Sequence, residues 1–592
     1  VTDAFMIVTI FGVGTDYCLF IMSRFREELV IGDRAQRIES TMKRIGPIIL
    51  ASAVTVVIAF LCLSISQFGM TRTIGWSLAI GIFITLLAGI TLVPALMSLF
   101  GRNLFWPSKS KEPFTKKRRW GWGKTGEWIT RHPLWFAIPI IIILVLPYIA
   151  MPEFTLSANI LTQLPKSSEA TKGLNVIREH FPMGEFSPLT VLVESPGGSM
   201  LTEESLAGIN KIAGAMSTST DLAGVDYYAA PADGLMGLGA QVRTLSNMVG
   251  PTMDSSSFDS LPTIGTTLQS LAIKYPGVTG STAFTTSIAD ITQASSLLQQ
   301  LAAAKPAESM TLLPQLKTAL HDLSDQLTAL GNEFQLKGDG SLVQWLKTTY
   351  FSTDGTIAKI NLLMKIDPYS DAASIKVPEI RDQVTQAVNV SALTDIKHIV
   401  GGDAALSADM LETSNNDFTL VLIVASLGIL VVIIILLRSV IAPLYMVGSV
   451  LFNYGATLGV TSWILQVIFK FDNLINLLPV IVFVMLAAVG ADYNIFLVSR
   501  IREESETKSI KEAVHHAVAH TGNVITSCGI ILAGTFATLI FTDFPMVLEV
   551  GTAISVGVLI DTFLVRALLV PALAVLVGRW NWWPNASFRK KG

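Results

Sequence analysis

Long apolar stretches alternate with short polar segments along most of the chain. Runs of about 20 apolar residues are typical of helices that cross a membrane. Such runs occur near 4–23, 45–66, 74–99, 133–151, 417–437, 442–468, 475–498, 520–541 and 547–577. A long polar stretch, from about 153 to 416, separates the fourth run from the fifth. The pattern predicts a polytopic α-helical membrane protein with nine spans and one large domain outside the bilayer.

The polar stretch 153–416 shows the shorter periods of an α+β domain. Segments 189–194, 224–228, 357–366 and 398–401 resemble strands, and segments 202–216 and 377–388 have helical spacing. Two strand–helix–strand pieces of this kind predict a ferredoxin-like sheet. An insertion of about 230–345 lies between them, and its segments 287–303 and 312–334 have helical spacing with Pro and Gly at their borders. We expect these two segments to form an αα-hairpin that projects from the module.

A repeated motif links the two ends of the chain. Gly14-Thr15-Asp16-Tyr17 recurs as Gly490-Ala491-Asp492-Tyr493 at an offset of 492 − 16 = 476 residues. Near-identical tails follow, Ser23-Arg24-Phe25-Arg26-Glu27-Glu28 and Ser499-Arg500-Ile501-Arg502-Glu503-Glu504. The same offset relates Gly46 to Gly522, Phe60 to Phe536, Gly75 to Gly551 and Gly81 to Gly557. The repeat predicts duplicated membrane architecture.

Composition and charge narrow the class of protein. The chain is 51% hydrophobic and only 15% charged, values typical of polytopic membrane proteins. Its net charge is −3 and it has no long basic block, so nucleic-acid binding is not expected. The polar stretch shows no convincing nucleophile–base pattern, and we do not predict an enzyme.

The distribution of Lys and Arg predicts the orientation. One set of short loops holds most of the basic residues, including Arg24, Arg44, Lys117, Arg438 and Arg500, whereas the opposite loops hold Arg72 and Lys470. The basic side is expected to be cytoplasmic, which places 153–416 outside the cytoplasm and the protein in the cytoplasmic membrane.

The predicted divisions are transmembrane helices in 1–100, a cytoplasmic basic and Trp-rich loop at 101–132, a transmembrane helix at 133–152, the extracytoplasmic domain at 153–416, transmembrane helices in 417–578 and a cytoplasmic tail at 579–592.

Each copy of the motif places one carboxylate near the middle of a predicted span. Asp16 lies eight residues before Arg24, and Asp492 eight before Arg500. At 1.5 Å per residue each acid is about 12 Å from the basic boundary, inside a hydrocarbon core of about 30 Å. Small neighbours such as Gly14 and Gly490 predict that the two helices cross closely. Asp16 would then accept a hydrogen bond from Tyr493, and Asp492 from Tyr17.

Three interpretations of these pairs remain open. An interhelical hydrogen bond contributes roughly 0.6 kcal/mol on average in membrane proteins, whereas an Asp at a helix centre costs about 2.5–3.5 kcal/mol. The energy of a purely structural bond is therefore smaller than the cost of inserting the Asp. The pattern favours a proton relay through Asp16, Tyr17, Asp492 and Tyr493. A bound metal ion is the third interpretation, but two carboxylates and two phenols without histidine are a weak ligand set, and we predict no metal and no cofactor.

A second acid and base interrupt the repeat in the last span. Asp561 and Arg566 stand where the first half has Thr85 and roughly Ile90. Five residues apart, they do not share one face of an α-helix, so we expect each to bond to neighbouring helices. Structural bracing is the favoured role, and an extension of the relay from Asp492 is the alternative.

Gly-x-Asp-Tyr at mid-span followed by Ser-Arg-x-Arg-Glu-Glu resembles the MMPL (mycobacterial membrane protein large) family of the resistance–nodulation–division superfamily. The resemblance covers nearly the whole chain. It implies a bundle of twelve spans with two extracytoplasmic porter domains, of which spans four to twelve and the second porter domain are expected here. It also implies that Asp16, Tyr17, Asp492 and Tyr493 are relay residues, and that the six-helix core is similar to the sterol-sensing fold.

The resemblance implies export of lipids or other amphiphilic molecules, driven by the proton-motive force. The expected partners are a lipid or hydrophobic small-molecule cargo, protons and the membrane; the helical hairpin is a candidate surface for protein partners, and self-association is a further expectation. The alternative hypothesis is a non-transporting, lipid-sensing or membrane assembly factor with a sterol-sensing-like core.

Overall fold

The computed structural model describes residues 2–30, 33–105, 121–149, 156–159, 164, 165, 167–250, 258–391 and 393–585, most of them in helices. Parts of the predicted segments therefore lie outside the described residues, namely 1, 31 and 32 of the first group of helices, 106–120 of the basic loop, 150–152 of the helix at 133–152, 153–155, 160–163, 166 and 392 of the extracytoplasmic domain, 251–257 of its insertion and 586–592 of the tail.

The α-helices are numbered here in chain order. The first group is α1 Thr2–Glu27, α2 Arg34–Leu63, α3 Gly69–Phe100, α4 Trp122–Arg131 and α5 Pro133–Ile149. The second is α6 Glu169–His180, α7 Met183–Phe186, α8 Glu203–Ser217, α9 Ala232–Met248, α10 Leu261–Lys274, α11 Thr282–Ala303, α12 Pro306–Phe334, α13 Ser341–Tyr350 and α14 Asp371–Val390. The third is α15 Asp403–Leu437, α16 Ile441–Trp463, α17 Leu478–Ser505, α18 Ile510–Ala537, α19 Pro545–Ile560 and α20 Val570–Val577.

Shorter helical segments and strands complete the secondary structure. Segments Ile464–Ile468 and Asp561–Leu569 are π-helical, and Glu28–Val30, Gly101–Phe105, Pro276–Gly280, Thr538–Phe541 and Gly578–Trp582 are 3₁₀-helical. The strands are β1 Leu156–Ser157, β2 Leu189–Glu194, β3 Leu222–Asp226, β4 Ile357–Met364, β5 Lys397–Gly401 and β6 Leu474–Ile475.

The chain divides into two compact units. The first, 1–172 with 409–592, is the helical unit, and the second, 173–408, is the α/β unit. Among the described residues, eight helices are long and apolar enough to cross a membrane, and they correspond to eight of the nine predicted spans. The ninth prediction, 133–151, corresponds to α5, whose 17 residues follow α4 after a bend of 101°. The multi-pass helical architecture predicted from the apolar runs is confirmed.

The internal repeat is visible in how the helices pack. A Cβ atom added at Gly75 of α3 would lie 2.7 Å from Leu63 Cβ, and one added at Gly551 of α19 would lie 2.6 Å from Leu539 Cβ. Gly75 and Leu63 become Gly551 and Leu539 when 476 is added to each number. Both halves therefore use a glycine to bring equivalent backbones into close contact, as expected for small residues at membrane helix interfaces.

The α/β unit contains a four-stranded antiparallel sheet. Its strand order is β3-β4-β2-β5, with Val191 opposite Ile360 between the two central strands. This is the strand order of the predicted split βαβ, ferredoxin-like arrangement. One face of β4 buries Ala358, Ile360, Leu362 and Met364. The apolar sides of α8 and α14, which carry Ile209, Ile212, Val377, Ile380 and Val384, belong to the same core.

The insertion is larger than the predicted hairpin. Helices α11 and α12 match the predicted segments 287–303 and 312–334, but α9, α10 and α13 are also present. Helix α12 packs against α11 and against α9. A Cβ atom at Gly239 of α9 would lie 3.1 Å from the Ser324 carbonyl oxygen of α12. The glycines of α9 weaken its helical signal in the sequence while allowing this close approach, so the hairpin does not stand alone.

Candidate functional site

The Tyr493 hydroxyl of α17 donates a hydrogen bond to Oδ2 of Asp16 on α1. Both side chains are buried, with 6% of Asp16 and none of Tyr493 exposed. The contact predicted between these two residues is present. Because the apolar runs place both groups mid-span, this bond joins the two halves of the repeat inside the helical unit.

The second predicted contact, between Asp492 and Tyr17, is not formed. Asp492 Oδ1 instead accepts a hydrogen bond of 3.3 Å from the Thr55 hydroxyl of α2, and Ser52 of α2 lies beside the same carboxylate. The Tyr17 hydroxyl is buried beside Ser52 and makes no hydrogen bond of normal geometry among the described residues. The prediction was wrong for this pair because the hydroxyls of α2, which sequence reasoning did not consider, meet Asp492 first.

The two carboxylates nevertheless have equivalent surroundings. Asp16 lies beside Cys528 of α18, and Asp492 lies beside Ser52 of α2. Cys528 and Ser52 are separated by the repeat offset of 476 residues. Each acid therefore lies against the second helix of the opposite half, which is the arrangement expected of a pseudo-two-fold axis between the halves.

The small residues near the acids do not form the predicted close crossing of α1 and α17. A Cβ atom at Gly14 would meet Thr85 of α3 at 3.3 Å, and one at Gly490 would lie 3.9 Å from Asp561 Oδ2. Thr85 and Asp561 are themselves equivalent in the repeat. These glycines thus allow contacts within each half, and the prediction was wrong for them. Side chains connect α1 to α17 instead, with the Phe20 ring stacked on Phe496 at 4.5 Å and edge-on to Tyr493 at 5.5 Å.

Asp561 and Arg566 form an ion pair with each other, contrary to the expectation that each would bond to neighbouring helices. The reason is the π-helical segment Asp561–Leu569. A π-helix bonds residue i to residue i+5, which brings side chains five positions apart onto one face. The expectation assumed α-helical spacing. Arg566 also donates to the Val489 carbonyl oxygen of α17 at 3.3 Å, so one part of the predicted bonding to a neighbouring helix is present.

Arg566 connects this ion pair to the Asp–Tyr contact. Its guanidinium carbon lies 3.7 Å from the centroid of the Tyr493 ring, a cation–π geometry. Asp16, Tyr493, Arg566 and Asp561 therefore form a continuous chain of contacts. Of the Lys and Arg side chains that the structure describes, only Arg566 is buried.

The charge balance of this region is unequal. Three buried carboxyl groups, Asp16, Asp492 and Asp561, accompany the single guanidinium of Arg566. A buried charge without a partner is costly, so the arrangement favours having some of these acids in the neutral form. Within the described part of the chain, no group of three or more His, Cys, Asp and Glu side chains has an arrangement that could hold a metal ion.

Two further buried acids were missed by the sequence analysis. Asp417 of α15 accepts hydrogen bonds from the Ser66 hydroxyl at 2.5 Å and from the backbone N–H groups of Gln67 and Phe68 at 3.0 and 3.1 Å. Glu549 of α19 accepts one from the Ile475 N–H at 2.9 Å. Asp417 lies inside α15 but at the very start of the apolar run 417–437, directly after the polar stretch, and Glu549 is the fifth residue of α19, so in the sequence each resembles a residue at the membrane boundary. Their position within or beside apolar runs was the available signal.

Comparison with known proteins gives a consistent family. The model of the MMPL family matches residues 1–136 and 279–591. The chain is 26% identical to the sulfolipid-1 exporter MmpL8 of Mycobacterium tuberculosis, over 99% of this chain and 70% of that protein. It is 24% identical to the apo-petrobactin exporter of Bacillus anthracis, over 99% of this chain and 64% of that protein. Against another curated relative the chain spans 54% of the relative's length.

A solved structure with a similar fold is the hedgehog release protein Disp from the water bear Hypsibius dujardini. The TM-score is 0.52 at 12% sequence identity, and the match covers 97% of this chain and 63% of the Disp chain. The likeness extends over both units of the chain and concerns the fold alone.

Proposed function

The chain belongs to the MMPL family, and from this premise we propose that it forms the transport core of an exporter of lipids or other amphiphilic molecules, driven by the proton-motive force. It is a multi-pass membrane protein of a transporter family. The observation that carries the proposal is the buried bond between Asp16 and Tyr493, which joins two repeat halves through a group that can gain or lose a proton.

The cargo class is proposed from the names of the relatives. One relative is named for the export of sulfolipid-1 and another for the export of apo-petrobactin. Both names describe the export of a small molecule, and one of the two cargoes is named as a lipid. We extend that class, and no single compound, to this chain.

The energy released by one proton crossing the membrane is sufficient to offset the loss of the Asp16–Tyr493 hydrogen bond. A hydrogen bond to a charged group contributes about 1.5–3 kcal/mol, and one between neutral groups about 0.5–1.5 kcal/mol. Protonation of Asp16 would therefore weaken its bond from Tyr493 by roughly 1–1.5 kcal/mol. A proton that crosses a membrane with the field releases about 2.3 kcal/mol per 100 mV. Each proton can thus drive the exchange of one such bond.

The unequal state of the two pairs supports an alternating cycle. Tyr493 is bonded to Asp16, whereas Tyr17 makes no hydrogen bond of normal geometry among the described residues and Asp492 is bonded to Thr55. In the proposed second state, Asp16 is neutral and releases Tyr493, and Tyr17 donates to Asp492. The Asp561–Arg566 pair either braces α17 against this movement or extends the relay.

The test compares Asp16→Asn and Asp492→Asn with Asp543→Asn in the whole protein. Asn keeps the shape of the side chain and removes its titration, and Asp543 is an exposed acid in a loop. Inverted membrane vesicles with an imposed pH gradient would be supplied with sulfolipid or with apo-petrobactin. We expect both relay variants to lose gradient-dependent uptake of a transported probe, and Asp543→Asn to retain it.

Two outcomes would contradict the proposal. Gradient-dependent uptake that is unchanged in Asp16→Asn at equal protein levels would eliminate the relay. Uptake that is equally fast without a gradient, in the unsubstituted protein, would eliminate proton coupling while leaving export intact.

A further inference from the structure

Helix α4 packs across one end of α18. The Trp122 ring lies against Gly522, where an added Cβ atom would come within 2.6 Å of the ring. One turn later, Gly126 lies against His515 and Val518, and Ile129 is fully buried. The opposite side of α4 is exposed and carries Lys124, Glu127 and Trp128. Trp122 is therefore part of the packed face of α4, not of its exposed face.

A cleft begins beneath Trp122 and leads to Arg566. Its volume is about 240 Å³ including its open mouth, and its lining includes Trp122, Gly522, Thr526, Thr562 and Arg566. Trp122 is half-buried, whereas Thr562 and Arg566 are fully buried. Trp122 thus marks the exposed end of the cleft, and Arg566 marks the inner end.

The inner end of the cleft presents polar atoms that the protein leaves unbonded. Nε and Nη1 of Arg566 and the Thr562 hydroxyl are buried and have no hydrogen-bond partner among the described residues. Buried polar groups are normally satisfied by protein or by ordered water. The three unbonded polar groups at the inner end of this apolar cleft could therefore each form a hydrogen bond with a water molecule. Through Arg566 it is in contact with Tyr493, which donates to Asp16.

We propose that this cleft is a water entrance to the buried Asp–Tyr cluster, and that Trp122 of α4 is its lid. The inference rests on the proposed proton-coupled function. A guanidinium keeps its proton in proteins, so Arg566 anchors water at the inner end, and the carboxylate of Asp561, its ion-pair partner, is the group that exchanges protons with that water. With the basic side of the protein cytoplasmic, the entrance opens toward the cytoplasm.

The experiment measures access to the cleft from each side of the membrane. Thr526→Cys provides a thiol in the cleft, in a background of Cys18→Ser, Cys62→Ser and Cys528→Ser. The last substitution is conservative because Ser52 occupies the equivalent position in the repeat. The probe is a membrane-impermeant, positively charged methanethiosulfonate, applied separately to inside-out and right-side-out vesicles containing the whole protein. The readout is the labelling rate of the thiol.

Removal of the lid should accelerate labelling. We expect Trp122→Ala to raise the rate from the inside-out face by about tenfold, the change that corresponds to about 1.4 kcal/mol of closing free energy. Gly522→Ala should act in the same direction because its Cβ atom displaces the Trp122 ring, and it serves if Trp122→Ala fails to fold. Trp128→Ala is the matched control, since Trp128 is on the same helix but 65% exposed, and its rate should be unchanged.

Equal labelling rates in the Trp122→Ala, Gly522→Ala and Trp128→Ala variants would contradict the proposal that Trp122 is a lid. Labelling of Thr526→Cys only from right-side-out vesicles would overturn the proposed entrance. Neither readout requires transport, so failure of the relay in the uptake assay and failure of the entrance in the labelling assay are separate results.

Discussion

At the scale of single residues, breaking the ion pair of Asp561 and Arg566 is expected to cause the largest loss of stability. Taking away one member of a buried pair leaves the other charge unpaired and costs about 3–5 kcal/mol, whereas replacing both by apolar groups is often neutral. We expect Arg566→Met and Asp561→Leu each to lower the free energy of unfolding in detergent by about that amount. The double variant should lose much less than the two single variants together.

The same set of single and double variants distinguishes a structural role of Asp561 and Arg566 from a role in the proton relay. A double variant that recovers both stability and gradient-dependent uptake assigns Asp561 and Arg566 to bracing alone. Recovery of stability without uptake assigns them a part in proton movement. Strict additivity of the two single effects would contradict the coupling that their contact implies.

At this scale the sequence supports some contacts and misses others for identifiable reasons. The Asp16–Tyr493 contact was predictable because the repeat implies a pseudo-two-fold arrangement of equivalent residues. The Asp561–Arg566 contact was not, because nothing in the local sequence distinguishes a π-helical turn from an α-helical one. Thr55 was overlooked because a Thr inside an apolar helix normally bonds to its own backbone. Here its one hydroxyl proton is shared between the Ser52 carbonyl oxygen at 2.6 Å and Asp492 Oδ1 at 3.3 Å.

At the scale of elements, one acid connects the insertion to the sheet of the α/β unit. Asp226, at the end of β3, accepts hydrogen bonds from Tyr275 after α10 at 2.8 Å, from Tyr350 of α13 at 3.1 Å and from Asn361 of β4 at 3.2 Å. Burial and the nearby Asp226 charge raise the pKa of both tyrosines. The two tyrosine bonds hold α10 and α13, helices that the predicted hairpin did not include, and the Asn361 bond joins the same acid to the sheet.

This cluster predicts a loss of stability at alkaline pH. In the unfolded chain tyrosine loses its proton near pH 10, whereas the raised pKa keeps Tyr275 and Tyr350 protonated in the fold. Their contribution is therefore complete below about pH 10 and declines as the pH rises further. Tyr275→Phe with Tyr350→Phe should cost about 1.5–3 kcal/mol per bond at pH 8, and less at higher pH. Urea titrations of the whole protein in detergent, at pH 8 and at a pH above about 10, measure this difference in the free energy of unfolding.

Asp226→Asn is the matched variant, because it keeps the side-chain shape and removes the charge. It should reproduce most of the loss at neutral pH with a weaker alkaline dependence. A difference between the unsubstituted protein and the double Phe variant that does not change with pH would contradict the assignment.

For the whole molecule, the repeat carries more information than any single segment. The offset that relates Asp16 to Asp492 also relates Gly75 to Gly551, Ser52 to Cys528 and Thr85 to Asp561, and each of these pairs makes one contact that is repeated in the other half. Hydrophobic runs determine how many helices form, but the repeat predicts which of them meet. The insertion has no counterpart in the repeat, which explains why α9, α10 and α13 were not predicted from local pattern alone.

The orientation of the molecule is the last prediction, and it follows from the charge of its loops. Arg24, Arg26, Arg500 and Arg502 lie at the same end of α1 and α17, where ion pairs such as Arg44–Glu503 at 3.3 Å and Arg500–Glu504 at 3.1 Å form. Lys and Arg in short loops favour the cytoplasm whether or not acids accompany them. In the cysteine-free background, Met310→Cys of α12, 78% exposed, should react with an impermeant maleimide on intact cells. Trp128→Cys of α4, 65% exposed, should react only after the cells are opened. The reverse result would invert the proposed direction of both the water entrance and the proton flow, because both depend on which side α4 faces.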